Sequence, residues 1–72
     1  MKDEKEILKT KELALRAKTL YHDALHLLAD AQKHQVNHVV SENLSTAANR
    51  ASKALDSLKI PLAENGVFDE SL

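Results

Sequence analysis

The chain predicts an all-α fold: a two-helix antiparallel hairpin, doubled into a homodimeric four-helix bundle. Three observations carry that expectation. Alanine and leucine dominate, while one glycine, one proline, one tyrosine and one phenylalanine are spread over 72 residues with no tryptophan. That leaves helix formers in plenty and almost nothing to turn a β-hairpin. Apolar residues of the first half recur in three heptad series: Leu13, Leu20 and Leu27; Ala17, Ala24 and Ala31; and Ile7, Ala14, Tyr21 and Leu28. Together they form one coiled-coil stripe, with leucine at one seam position and alanine at the other. Finally, the phase of that stripe breaks between residues 32 and 41.

The first helix is expected over 3–33. Asp3, Glu4 and Glu6 suit the positive end of a helix dipole. No breaker follows before Lys33, and thirty residues at 1.5 Å each reach ~45 Å. Glu12 and Arg16 have the spacing of a surface ion pair. The bend is expected at 34–37. Continuing the first phase would turn His34, His38, Ser41 and Ser45 inward, whereas the apolar residues are Val36, Val40, Leu44 and Ala47. That is an offset of roughly 100° around a helix. The rival is one unbroken rod; the polar and β-branched composition of the segment favours the bend. Asn37 or Ser41 can cap a second helix.

The second helix is expected over 38–60. Leu44, Ala51 and Leu58 repeat every seven residues. Val40, Ala47 and Ala54 are read as the other seam position, flanked by Ala48 and Leu55. Pro61 is read as the stop, because proline lacks an N–H and clashes with the preceding turn. On that reading residues 1–60 are the hairpin and 61–72 an acidic, mobile tail turning at Asn65–Gly66, with Glu64, Asp69 and Glu70 and no basic residue. Val67 and Phe68 are its means of folding back onto the bundle.

Composition narrows the function classes. A chain of 72 residues buries only ~60% of its unfolded surface and is marginal alone. It has no cysteine, so neither disulfides nor thiolate–metal sites can staple it, and stability must come from packing, self-association or a partner. Net charge is −1, without the basic face that nucleic-acid binding uses. No apolar run approaches the ~18 residues of a membrane span. The opening Met1-Lys-Asp-Glu-Lys-Glu is too charged for a signal peptide. The expectation is a cytoplasmic protein that does not engage a membrane and needs no cofactor.

Histidines supply the most suggestive chemistry. His22, His26, His34 and His38 lie on an i+4 ladder with Asp30 in the gap. His22 and His26, one helical turn apart, could share a metal ion, with Asp30 adding a carboxylate. The ladder drifts about 40° per step, so its five members cannot converge on one ion. The competing reading, a solvated helix face, accounts for the pattern more simply. No serine stands in a nucleophile–base constellation, and nothing resembles an oxyanion hole. An enzyme is not expected.

Two resemblances widen the options. Ser52-Lys-Ala-Leu55-Asp56-Ser-Leu58 resembles the Ser-x-x-Leu-Asp-x-Leu signature of the sporulation-regulating aspartyl-phosphate phosphatases. These are short helical hairpins acting on response regulators, which implies Asp56 facing a phosphorylated partner. The match spans seven residues. Lys59 follows where that family has an aliphatic residue, and the first helix here is longer. In architecture the chain is also similar to the small Rop-type RNA-binding hairpin dimers, which implies RNA contact through Lys5, Lys9 and Arg16. Here Glu4, Glu6 and Glu12 are interspersed with those bases, the mixture of a solvated face. The short hairpin chaperones of type III secretion share size and composition alone.

The reading that covers most of the chain is a small, non-enzymatic helical regulator or binding protein. It acts through protein–protein interaction, on a partner or on itself, by an alanine/leucine-rich face. Leu8, Leu15, Leu25 and Tyr21 are the residues expected at an intermolecular contact, with Tyr21 as the amphipathic anchor.

Overall fold

The computed structural model describes residues 3–68 and 72. Two helices, α1 (Glu4–Lys33) and α2 (His38–Glu64), pack against each other along their length. The Cα trace measures 47 × 16 × 16 Å.

Local chemistry sets each helix end. Asp3 is the N-cap of α1, its carboxylate accepting from the Lys5 N–H at 3.0 Å. Such a cap satisfies one of the four amides that a helix start leaves unpaired. At the other end His34 is the C-cap and Gln35 turns left-handed, at φ 54°. The Gln35 N–H then donates to the Gln32 carbonyl (3.2 Å) and the Val36 N–H to that of Ala31 (3.1 Å). This is the Schellman arrangement, built here without its usual glycine. Asn37 follows at once as the N-cap of α2, accepting from the Val39 N–H at 2.8 Å. The bend falls at 34–37, where the change of phase predicts it.

The far end of α2 differs from expectation. The helix does not stop before Pro61; it runs through it to Glu64. Leu62, assigned by sequence to the tail, is the largest fully buried side chain. Asn65 caps the helix, its Nδ2 donating to the Pro61 carbonyl at 2.8 Å. Gly66 takes φ 75°, and the Val67 N–H closes onto the Leu62 carbonyl at 2.9 Å. A second Schellman motif results, with Val67 packed on the cluster that contains Leu62. A proline inside a helix costs ~3 kcal/mol. Full burial of Leu62 contributes ~1.5–3 kcal/mol, and the half-buried Val67 adds to it, together a gain of the size of that cost. Phe68 is 82% exposed, and Leu72 packs against the same cluster. The acidic residues Asp69 and Glu70 of the expected tail lie outside the described residues.

The core is thin. Its buried members are Ala14, Ala24, Ala48, Ala51, Leu55 and Leu62. Ala14, Leu55 and Leu62 form one cluster, extended by Ile7, Ala17 and Leu58. Alanine at most of these positions lets the helices approach closely, and leaves few large side chains with anywhere to go.

Candidate functional site

The buried residues give both helices a heptad register. On α1, position a holds Ile7, Ala14, Tyr21 and Leu28, and position d holds Thr10, Ala17, Ala24 and Ala31; every one is buried or half-buried. On α2, position a holds Ser41, Ala48, Leu55 and Leu62, and position d holds Leu44, Ala51, Leu58 and Asn65, again all buried or half-buried. The remaining positions of the two helices lie progressively farther from this seam.

Two assignments made from sequence are overturned by this register. Leu13, Leu20 and Leu27, expected in the seam, are position g, and they are 38%, 62% and 57% exposed. A hairpin has one partner helix, which covers two heptad series, and α1 carries three. Pairing through a and d half-buries Ile7, Tyr21 and Leu28 and leaves the leucine series outside. On α2 the expected second seam of Val40, Ala47 and Ala54 is likewise position g and exposed. Its place is taken by Ala48, Leu55 and Leu62. Leu62, beyond the expected stop at Pro61, is the member that makes this series the bulkier one.

These two displaced series lie together. In an antiparallel helix pair the g flank of one helix adjoins the g flank of the other. The leucines of α1 and the valine and alanines of α2 therefore share one side of the hairpin. The face is a ridge of Leu13, Leu20 and Leu27 running beside a low track of Val40, Ala47 and Ala54, all exposed. The opposite flank is position e. There Lys11, Lys18 and Gln32 of α1 meet Ser45, Ser52 and Lys59 of α2, with Leu25 as its apolar member. Among the described residues eleven large apolar side chains are exposed, whereas only Leu55 and Leu62 are buried. Scattered exposed leucines are normal; apolar residues at heptad spacing on one side of a helix pair are not scattered.

The residues expected at an intermolecular contact separate into two groups. Leu8, Leu15 and Leu25 are exposed, on the shoulder of α1 away from the g face. Tyr21 is not with them. It occupies position a, half-buried, its ring tilted against that of His22 with centroids 5.6 Å apart. Tyr21 is thus a seam position, and about half of its neighbourhood is the helix pair itself rather than open surface. The signal for the g face was present in the sequence as the surplus of apolar series over what one partner helix can cover.

The other candidates are dispersed. His22, His26 and Asp30 are all exposed, and among the described residues no group of three His, Cys, Asp or Glu side chains is placed to hold a metal ion. Asp56 is exposed on α2, beside the buried Leu55. Lys5, Lys9 and Arg16 are exposed on α1, and Lys9 sits 3.6 Å from Glu12, the partner that sequence spacing had paired with Arg16. An ion pair so exposed contributes ~0–1 kcal/mol. No helix among the described residues is long and apolar enough to cross a membrane. Comparison with known protein families, with curated proteins and with solved structures found no match.

Proposed function

We propose that this protein is a small, non-enzymatic binding or regulatory module whose working surface is its exposed apolar face, and that it operates as a homodimeric four-helix bundle. One observation carries the reading. Three heptad series run along α1, the hairpin covers two of them, and the third stands exposed beside the exposed alanine track of α2. The arc formed by a, d and g suits a helix with neighbours on two sides, as in a four-helix bundle. The thin, alanine-rich core supports the same reading, since so small a hairpin needs further burial to be stable. In this assembly the shoulder of Leu8, Leu15 and Leu25 stays outside and is offered to a protein partner. The absence of cysteine suits a cytoplasmic setting.

Thermal unfolding over a range of protein concentrations tests the reading. Unfolding coupled to dissociation raises the midpoint as concentration rises. A midpoint independent of concentration would count against the bundle.

A further inference from the structure

We infer that the g face is covered by a second copy of this chain, set so that the leucine ridge of each α1 lies in the alanine track of the other copy's α2. The inference rests on the proposed reading of this face as the working surface, and specifies its occupant and geometry.

Area is the first argument. With Cα extents of 47 and 16 Å, one long side of the hairpin offers roughly 750 Å², so two copies bury about 1,500 Å² in total, the size of a standard stable interface. Shape is the second. The two helices of a hairpin lie in one plane, so stacked hairpins are separated by a nearly uniform gap. Laying α1 on α1 sets leucine against leucine on one side and alanine against alanine on the other. That either leaves a void along α2 or tilts the hairpins apart. A two-fold axis parallel to the helices lays α1 on the partner copy's α2 instead, antiparallel, and fills the gap evenly with one large and one small residue per level. The bend centred on residues 35–36 puts Leu20 level with Ala51 of α2, so in the partner's track it enters the space between Ala47 and Ala54.

Charge is the third argument. Position c lies just outside position g and rims the face. By the same register Lys9 lies within two residues of the level of Glu64, and Asp23 within two of the level of Arg50, about 3 Å along the axis. Stacking α1 on the partner's α2 therefore brings opposite charges together at both levels. The rival stacking also pairs opposite charges, Lys9 with Asp30 and Arg16 with Asp23. Charge thus favours a second copy as occupant, and the large-on-small pattern selects the geometry.

Disulfide mapping of single-cysteine variants tests this in a chain that has no cysteine of its own. Leu20→Cys and Ala54→Cys proteins are mixed in equal amounts, oxidised and weighed, with sedimentation of the reduced proteins alongside. Both positions are exposed in the hairpin, so the fold is retained; circular dichroism confirms it. The expected result is a dimer whose main disulfide joins Leu20→Cys to Ala54→Cys, with little coupling of Leu20→Cys to itself. A second variant, Ala54→Leu, fills the track and weakens self-association by about tenfold or more while helicity is unchanged. A dimer in which Leu20→Cys couples chiefly to itself overturns the geometry and leaves the bundle standing. A dimer with neither disulfide means that another face pairs, and overturns the inference. A monomeric mass overturns both the inference and the bundle, and leaves the g face to a foreign helix or a lipid surface.

Discussion

The two flanks of this hairpin, equally close to the seam in heptad position, have opposite chemistry. Flank e is lysine, serine and glutamine with one leucine, Leu25, and its lysines and serines are half-buried. Flank g is leucine, valine and alanine along its middle, all exposed, with Glu6 and the half-buried Pro61 at the end away from the bend. A helix pair evolved only to hold itself together has no reason to differ between its sides. In the proposed bundle that asymmetry has a cause: flank e faces water and flank g faces the second copy. It also explains why the core can be thin: in the proposed bundle Leu13, Leu20 and Leu27 add the bulk that Ala14, Ala24, Ala48 and Ala51 lack.

The largest expected effect contrasts two leucines. Leu62 is fully buried and Leu20 is 62% exposed. Leu62→Ala should destabilise the chain by ~2–5 kcal/mol at any concentration. Leu20→Ala should cost that order only where the protein is associated, and under ~0.5 kcal/mol where it is dilute and monomeric. Urea unfolding at two concentrations separates the cases. Equal losses for Leu20→Ala at both would place it in the hairpin core.

Alanines on and off the seam provide the next contrast. Ala24 is buried and Ala29 exposed. Ala24→Leu should overpack the helix pair by ~1–3 kcal/mol, whereas Ala29→Leu should stay within ~0.5 kcal/mol of the parent. Similar losses would contradict the register.

Smaller effects concern the two helix ends that share one turn motif. Gly66 supplies the left-handed residue after α2, whereas Gln35, at φ 54°, supplies it after α1. The left-handed conformation costs a side-chain-bearing residue ~1–2 kcal/mol. Gln35→Gly should therefore stabilise by about 1 kcal/mol after the entropy that glycine adds to the unfolded chain. Gly66→Ala has no neighbouring atom to clash with, yet its positive φ should cost it about 1 kcal/mol. Thermal midpoints of the two variants should move in opposite directions; a shared direction would reject the motif at one end. Asn37→Ala, which removes the cap of α2, should cost ~1 kcal/mol by the same measurement.

The ends of the hairpin were legible wherever one residue's chemistry decides the matter. Acidic residues at 3–6 placed the start of α1, and Asn37 with the change of phase placed the bend. Pro61 misled, because a local rule met a tertiary gain: one more turn beyond the proline buries Leu62. That same turn would have corrected the phase of α2. On α1 the periodicity was read correctly as three series, but heptad spacing alone does not rank them. Which two a partner helix covers depends on the volumes opposing them, and Leu62, beyond the expected stop at Pro61, is the largest of those volumes to be fully buried. The exposed shoulder of Leu8, Leu15 and Leu25 was legible for the converse reason: it lies off every series. The half-burial of Tyr21 was legible too, since it belongs to the Ile7–Leu28 series.

The central claim is that flank g is covered by a second copy. Sedimentation equilibrium of the parent chain beside Leu20→Glu and Lys18→Glu tests it most directly. The parent and Lys18→Glu should sediment at twice the 8.0 kDa chain mass, and Leu20→Glu, with a charge buried in the apolar face, should sediment as a monomer. A monomeric parent, or a Leu20→Glu variant that remains dimeric, would contradict the account.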